Sequence, residues 1–239
     1  MKTSFWLISF IAFEAFKISN FFTINCRFRY SSIPYGVGSF YSCLATNIPE
    51  SSGSYVTEIT GEHTEEKNAE FINIYGNRTL SFFPKNFSHF FPNLTGIVLT
   101  ETSFKKLYGD ELNEYGENFK YFSLTNSNLE SISNGLFTNT PNIIIIIFNS
   151  NKILYVGDNL FNPLNLSKMI YLDFSGNRCH SRMQNGAHDI PNLVNEIFRY
   201  CGFDDAETTT TIRTTTQKSY CLSYDRKTRK VVKNCKFND

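Results

Sequence analysis

The stretch Ile143-Ile-Ile-Ile146-Ile-Phe148-Asn-Ser-Asn151-Lys-Ile153 decides the fold. With isoleucine and phenylalanine accepted for leucine, it satisfies the pattern L-x-x-L-x-L-x-x-N-x-L at every fixed position. Working outward, the next copy is Met169, Leu172, Phe174, Asn177 and Cys179. The preceding copies are Phe119, Phe122, Leu124, Ser127 and Leu129, and before them Leu94, Ile97, Leu99, Thr102 and Phe104. A degenerate first copy is Ala69, Ile72, Ile74, Asn77 and Thr79. Starts at 69, 94, 119, 143 and 169 are spaced by 25, 25, 24 and 26 residues. The second half of the unit recurs as well. Its fourteenth position is Phe82, Leu107, Ile132 and Val156, and its nineteenth is Phe87, Leu112, Phe137 and Phe161.

The physical reading is a solenoid. Each unit lays down a short strand, turns, and returns along an outer face. Positions 1, 4, 6 and 11 then point into a core shared with the neighbouring units, because no unit can bury its own apolar face. The ninth position is Asn77, Thr102, Ser127, Asn151 and Asn177. Asparagine there satisfies backbone groups at the inner turn, and the shorter hydroxyls leave that ladder imperfect in the middle. Five consecutive isoleucines, Ile143 to Ile147, invite comparison with a membrane or aggregation segment. The register instead buries Ile143 and Ile146 and sets Ile145 and Ile147 on the opposite face as an exposed apolar pair.

With these residues in register, residues 69–179 resemble the extracellular leucine-rich-repeat family, and are similar to the small secreted repeat proteins of insects. The last copy ends on Asn177-Arg178-Cys179, the N-x-C ending common in that family. The resemblance implies an α/β-type repeat solenoid. It would be a short leucine-rich-repeat horseshoe with a parallel concave sheet, disulfide-tied caps and a mostly irregular convex side. The family's caps usually carry more cysteines than Cys179 and Cys201, and a tighter cluster than Cys26 and Cys43, so both caps here are reduced versions.

The flanks divide accordingly. Lys2 followed by the apolar run Phe5–Phe13 suits a signal peptide over residues 1–20, with cleavage between Phe16 and Asn25; the competing reading is a buried N-terminal strand. Residues 24–68 form the N-terminal cap. No later segment approaches the roughly 18 consecutive apolar residues of a membrane span. Residues 180–204 form the C-terminal cap, where Ile190, Leu193, Val194, Ile197 and Phe198 recur at helical spacing and Pro191 suits a first turn. Residues 205–219 are a threonine-rich linker, either O-glycosylated or a plain tether. Residues 220–239 are a basic disulfide loop in which Arg226, Lys227, Arg229 and Lys230 either dock an acidic glycan or protein or are simply solvated.

An even count of six cysteines behind an export signal suggests disulfides, and sequence neighbours favour Cys26–Cys43, Cys179–Cys201 and Cys221–Cys235. None forms a C-x-x-C spacing, so no metal site is expected. Sequons stand at Asn77, Asn86, Asn93 and Asn165. Asn86, Asn93 and Asn165 fall on outer or descending positions and are the expected glycan carriers. Asn77 is also a ladder residue, and the ladder is the favoured role.

Positions 3, 5, 7 and 8 should face the concave side. Phe71, Tyr75, Val98, Tyr121, Ile145, Ile147, Asn149, Tyr171 and Asp173 are the candidate ligand-binding residues on that face. Among all twenty residues of the four rows only Glu101 and Asp173 are charged, and the whole chain carries a formal charge of +1. Such a surface suits an extracellular protein or a glycan and not the phosphates of nucleic acid. The bland reading is that its tyrosines and phenylalanines pair across strands to stabilise the sheet. The chain has four histidines, none in a metal or catalytic spacing, and no nucleophile-elbow, phosphate-loop or dinucleotide motif. We therefore expect no enzyme activity and no cofactor. The expected function is extracellular recognition, with a structural matrix or secretion component anchored by the tail as the competing class. The oligomeric state is open, a dimer included.

Overall fold

The structure, a computed structural model, describes residues 21–33, 38–46, 48, 55–61, 68–201, 222–225 and 230–233. The expected signal segment, the threonine-rich linker and the Cys221–Cys235 pair lie outside them.

Three strands open the chain: β1 (Phe21–Ile33), β2 (Gly38–Thr46) and β3 (Tyr55–Gly61). Five short strands then recur at the repeat period: β4 (Phe71–Tyr75), β5 (Gly96–Thr100), β7 (Tyr121–Thr125), β9 (Ile145–Ile147) and β11 (Tyr171–Asp173). Between them lie the helical turn α1 (Phe87–Phe90) and the two-residue strands β6 (Lys106–Leu107), β8 (Ser131–Ile132) and β10 (Tyr155–Val156). The unit ends with β12 (Met183–Asn185) and helix α2 (Ile190–Cys201). A second unit contains the antiparallel hairpin β13 (Leu222–Asp225) and β14 (Lys230–Lys233).

The architecture is a parallel-sheet β-solenoid of about five turns with few helices. Its main sheet has nine strands in the order β12-β11-β9-β7-β5-β4-β2-β1-β3, and β6, β8 and β10 form a second, three-stranded sheet on the return side. Equivalent positions pair without stagger: Phe71 with Gly96, Gly96 with Tyr121, Tyr121 with Ile145, and Ile145 with Tyr171. The register read from the residues is therefore the register of the sheet.

One face of the sheet is the core. Positions 1, 4 and 6 are buried in every copy, as are Leu107, Ile132, Val156, Phe87, Leu112, Phe137 and Phe161 from the return segments. Phenylalanines pack tilted or edge-on through it, Phe83 on Phe122, Phe122 on Phe148 and Phe148 on Phe174, with ring centroids 6.2, 5.6 and 5.4 Å apart. The degenerate first copy departs from the expected register. Thr79 and Phe82 are exposed, and Leu80 and Phe83 fill the core in their place. One extra residue after the Asn77 turn lets the chain choose the larger apolar side chains, and Phe87 restores the register.

The ladder at the inner turn has two chemistries. The Asn151 amide donates to Leu124 O (2.7 Å) and Phe148 O (3.1 Å), while its carbonyl accepts from Leu129 N (3.3 Å). Asn177 repeats the arrangement with Phe148 O, Phe174 O and Ile153 N. Thr102 and Ser127 cannot span two turns, so they bond each other (2.9 Å), and Ser127 Oγ accepts from Thr102 N (2.9 Å). Position eight, just before the ladder residue, is left-handed in every copy: Gly76, Glu101, Asn126, Ser150 and Gly176 have φ of 67°, 56°, 50°, 54° and 72°. These residues make the turn out of the strand, a conformation that costs a non-glycine residue about 1–2 kcal/mol.

Both ends are closed covalently. Cys26 and Cys43 bridge the antiparallel β1–β2 hairpin, and Cys179 is bonded to Cys201 at the end of α2. These are two of the three pairings favoured by sequence neighbours. Helix α2 lays Ile190, Leu193, Val194, Ile197 and Cys201 on the last turn, an i, i+3, i+4, i+7, i+11 stripe. Arg182 holds Glu196 on its outer side through both carboxylate oxygens at 2.6 and 2.8 Å. Burial holds the His180 imidazole below its usual pKa despite the Glu196 carboxylate at 3.2 Å.

Candidate functional site

The second face of the nine-stranded sheet carries the candidate residues, and it is not uniformly open. Phe71, Tyr121, Ile145, Ile147 and Tyr171 form their own cluster on this face and are almost completely buried. The expected exposed pair, Ile145 and Ile147, is 0% and 5% exposed. The reason is lateral packing along the third-position row. Gly96 has no side chain, and the Phe71 ring lies where one would be: a Cβ on Gly96 would sit 2.3 Å from it. Phe71 thereby reaches across β5 to meet Tyr121 edge-on at 5.5 Å, with Phe40 against its other side at 4.6 Å. Tyr121, Ile145 and Tyr171 continue the row, and Val98 packs on it half-buried. For these residues cross-strand pairing is the observed role.

Asp173 is likewise no outward-facing charge. It is 3% exposed and accepts from Asn149 Nδ2 (2.9 Å), Tyr171 Oη (3.4 Å) and Ser175 N (2.8 Å). A carboxylate held by three donors is a satisfied buried group. Asn149 is committed to it and half-buried. Of the candidate residues, only Tyr75 is broadly open to solvent, at 53%.

Around Tyr75 the face does open. Two adjoining cavities, of about 820 and 410 Å³, share Arg29, Leu44 and Tyr75 in their walls. The larger extends over Ala45 and Ile48 to Arg78; the smaller runs past Asn73 to Tyr121. The sequence positions the walls simply. In β1, Phe22, Ile24, Cys26 and Phe28 alternate into the core, so Asn25, Arg27 and Arg29 project from the other face and are exposed. β2 does the same with Cys43 and Ala45 inward and Leu44 outward. The Asn77 amide fixes the far wall by donating to Ile48 O (2.9 Å), and its carbonyl accepts from Leu80 N (3.0 Å). Arg78 reaches Glu101 at 3.1 Å, both side chains well exposed, a pair worth little in water. Among the described residues neither Arg27 nor Arg29 makes an ion pair. Arg29, Tyr30 and Leu44 were not among the residues expected to bind.

On the return side, Glu114 accepts from the backbone N–H of Asn86 (2.9 Å) and Phe87 (3.3 Å) and from Ser88 Oγ (3.1 Å) at the start of α1. Nearby Glu111 is buried, accepting only from Tyr108 N (2.9 Å) among the described residues, and burial pushes its carboxyl up to about 8. The sequons separate by environment. Asn93 and Asn165 are exposed, whereas the half-buried Asn86 donates its side-chain amide to Val56 O at 2.9 Å. The expectation that Asn86 presents an outward amide is thus corrected: left-handed backbone at φ 76° turns that side chain onto β3. Cys221 and Cys235 lie outside the described residues. So do Arg226, Lys227 and Arg229, and of Lys230 only the backbone, in β14, is described.

No helix among the described residues is long and apolar enough to cross a membrane, and no group of histidine, cysteine and carboxylate side chains among them is placed to hold a metal. The chain matches no protein-family model, and no curated protein matches its sequence.

Proposed function

We propose that this chain is an exported leucine-rich-repeat recognition module that binds an extracellular protein or glycan at the N-terminal end of its concave sheet face. One observation carries the reading: a face otherwise sealed by its own side chains opens into two adjoining cavities, walled by exposed Arg29 and Tyr75 on rigid strands. A site on strands tied by a disulfide loses little conformational freedom on binding. The N-x-C ending, the repeat period and the two disulfides support the leucine-rich-repeat and export readings. Among the described residues, the same surface offers no paired acid and base or nucleophile arrangement, which favours binding over catalysis.

The test is capture from extracellular fluid by the full-length secreted chain, beside two variants. One carries Arg29→Gln with Tyr75→Ala. The other carries Arg226→Gln, Lys227→Gln, Arg229→Gln and Lys230→Gln. Tyr121, Ile147 and Tyr171 must be left alone, since their burial would turn a binding test into a folding test. A discrete partner lost only with the first variant supports recognition. Material lost only with the second, and released by salt, supports a matrix component held by its tail.

A further inference from the structure

We propose that the occupant of the N-terminal groove is an extended acidic peptide segment of the partner, seated with one apolar side chain on Leu44 and carboxylates on Arg29 and Arg78. This deepens the recognition reading and rests on it.

The first argument is charge. Among the described residues, the walls of the two cavities contain two arginines and no aspartate or glutamate. Arg27 projects from the same face of the same strand two residues before Arg29 and adds to the positive field. Glu101 holds Arg78 from one side at 3.1 Å, and Arg78 remains 80% exposed. Its guanidinium therefore has donors to spare for a second carboxylate. Two guanidinium groups lining one cavity favour an anion that can accept paired N–H bonds from each.

The second argument is apolar contact. Leu44 projects from this face half-buried and is the apolar side chain offered there, whereas Ala45 and Ile48 are already packed into the core behind it. An aliphatic or aromatic side chain gains by covering Leu44, whereas a sugar would leave hydroxyl groups without partners there. Tyr75, more than half exposed, supplies an aromatic face and a hydroxyl group to a peptide backbone lying beside it. An apolar side chain beside cations selects a peptide that mixes apolar with acidic residues.

The experiment is fluorescence anisotropy on the full-length chain with three labelled probes. They are a decapeptide pool alternating Asp or Glu with Leu or Phe, the same pool with Asn and Gln replacing the acids, and a sulfated heparin hexasaccharide. The acidic pool should bind at least tenfold more tightly than the amide pool. Arg29→Gln and Arg78→Gln should each weaken it at least fivefold, and Leu44→Ala should weaken it with an unchanged melting temperature. The four-residue tail variant should bind the acidic pool as the unaltered chain does. Equal affinity for the two peptide pools, silence of both, binding of the hexasaccharide alone, or loss of binding in the tail variant overturns the proposal. If the Arg29→Gln, Tyr75→Ala variant still loses a captured partner while the two pools bind equally, recognition stands and this inference falls.

Discussion

The two ends of one sheet face, built from the same repeat, differ in what covers them. Toward β11, Ile145, Ile147, Tyr171 and Asp173 cover one another. Toward β1, Arg29, Leu44 and Tyr75 wall a groove that nothing among the described residues fills. A solenoid position therefore does not carry a role by its number alone. The role depends on whether the next strand offers a side chain to lean on or a space. Gly96 is where the two regimes meet. It gives up its own side chain so that Phe71 can lie flat and begin the covered stripe.

The comparison can be broken most forcefully in the covered half. Ile145→Ala should cost about 3 kcal/mol by urea denaturation, because it opens a hole in a closed cluster. Glu111→Gln, on the return side, should change stability in a pH-dependent way and leave the groove's binding alone. Its folded pKa is raised above 4.5 to about 8, so the native state prefers the neutral acid. The stability it contributes is present below about pH 4.5 and is lost as pH rises through about 8. The variant should therefore gain on the unaltered chain between pH 5 and 9, by about 2–4 kcal/mol at the alkaline end. Gly96→Ala should cost about 2 kcal/mol by displacing a buried ring. Ser150→Gly should stabilise by about 0.5–1 kcal/mol, since it removes left-handed strain at the turn. Tyr75→Ala should fall within about 0.5 kcal/mol of the unaltered chain in stability while weakening capture of the partner. That smallest thermal effect sharpens the comparison most, because it separates a binding residue from a packing residue in the same sheet.

The repeat register was legible because core positions are apolar in copy after copy, and strand pairing follows them. The turn at position eight was legible in part, since Gly76, Gly176 and Asn126 are residue types that tolerate positive φ, although Glu101 and Ser150 are not. The first-copy shift was missed because a fixed template kept Thr79 and Phe82 over the adjacent Leu80 and Phe83. The covered stripe was missed because Gly96 was read as one more member of the row and not as room for Phe71. Arg29 had a signal that went unused: the strict alternation of Phe22-Thr-Ile-Asn-Cys-Arg-Phe-Arg29 places every second residue on the open face. The commitment of Asp173 is only partly local: Tyr171 and Ser175 lie two residues to either side, but Asn149, its third donor, lies 24 residues away.

Hydroxyl-radical footprinting of the full-length native chain, read residue by residue by mass spectrometry, tests the central claim without any ligand in hand. The account predicts rapid oxidation of Tyr30 and Tyr75, with Tyr121 and Tyr171 protected at least tenfold relative to the unfolded chain. Oxidation of Tyr171 at the rate of Tyr75 would show that the face is open along its whole length, and would contradict the account.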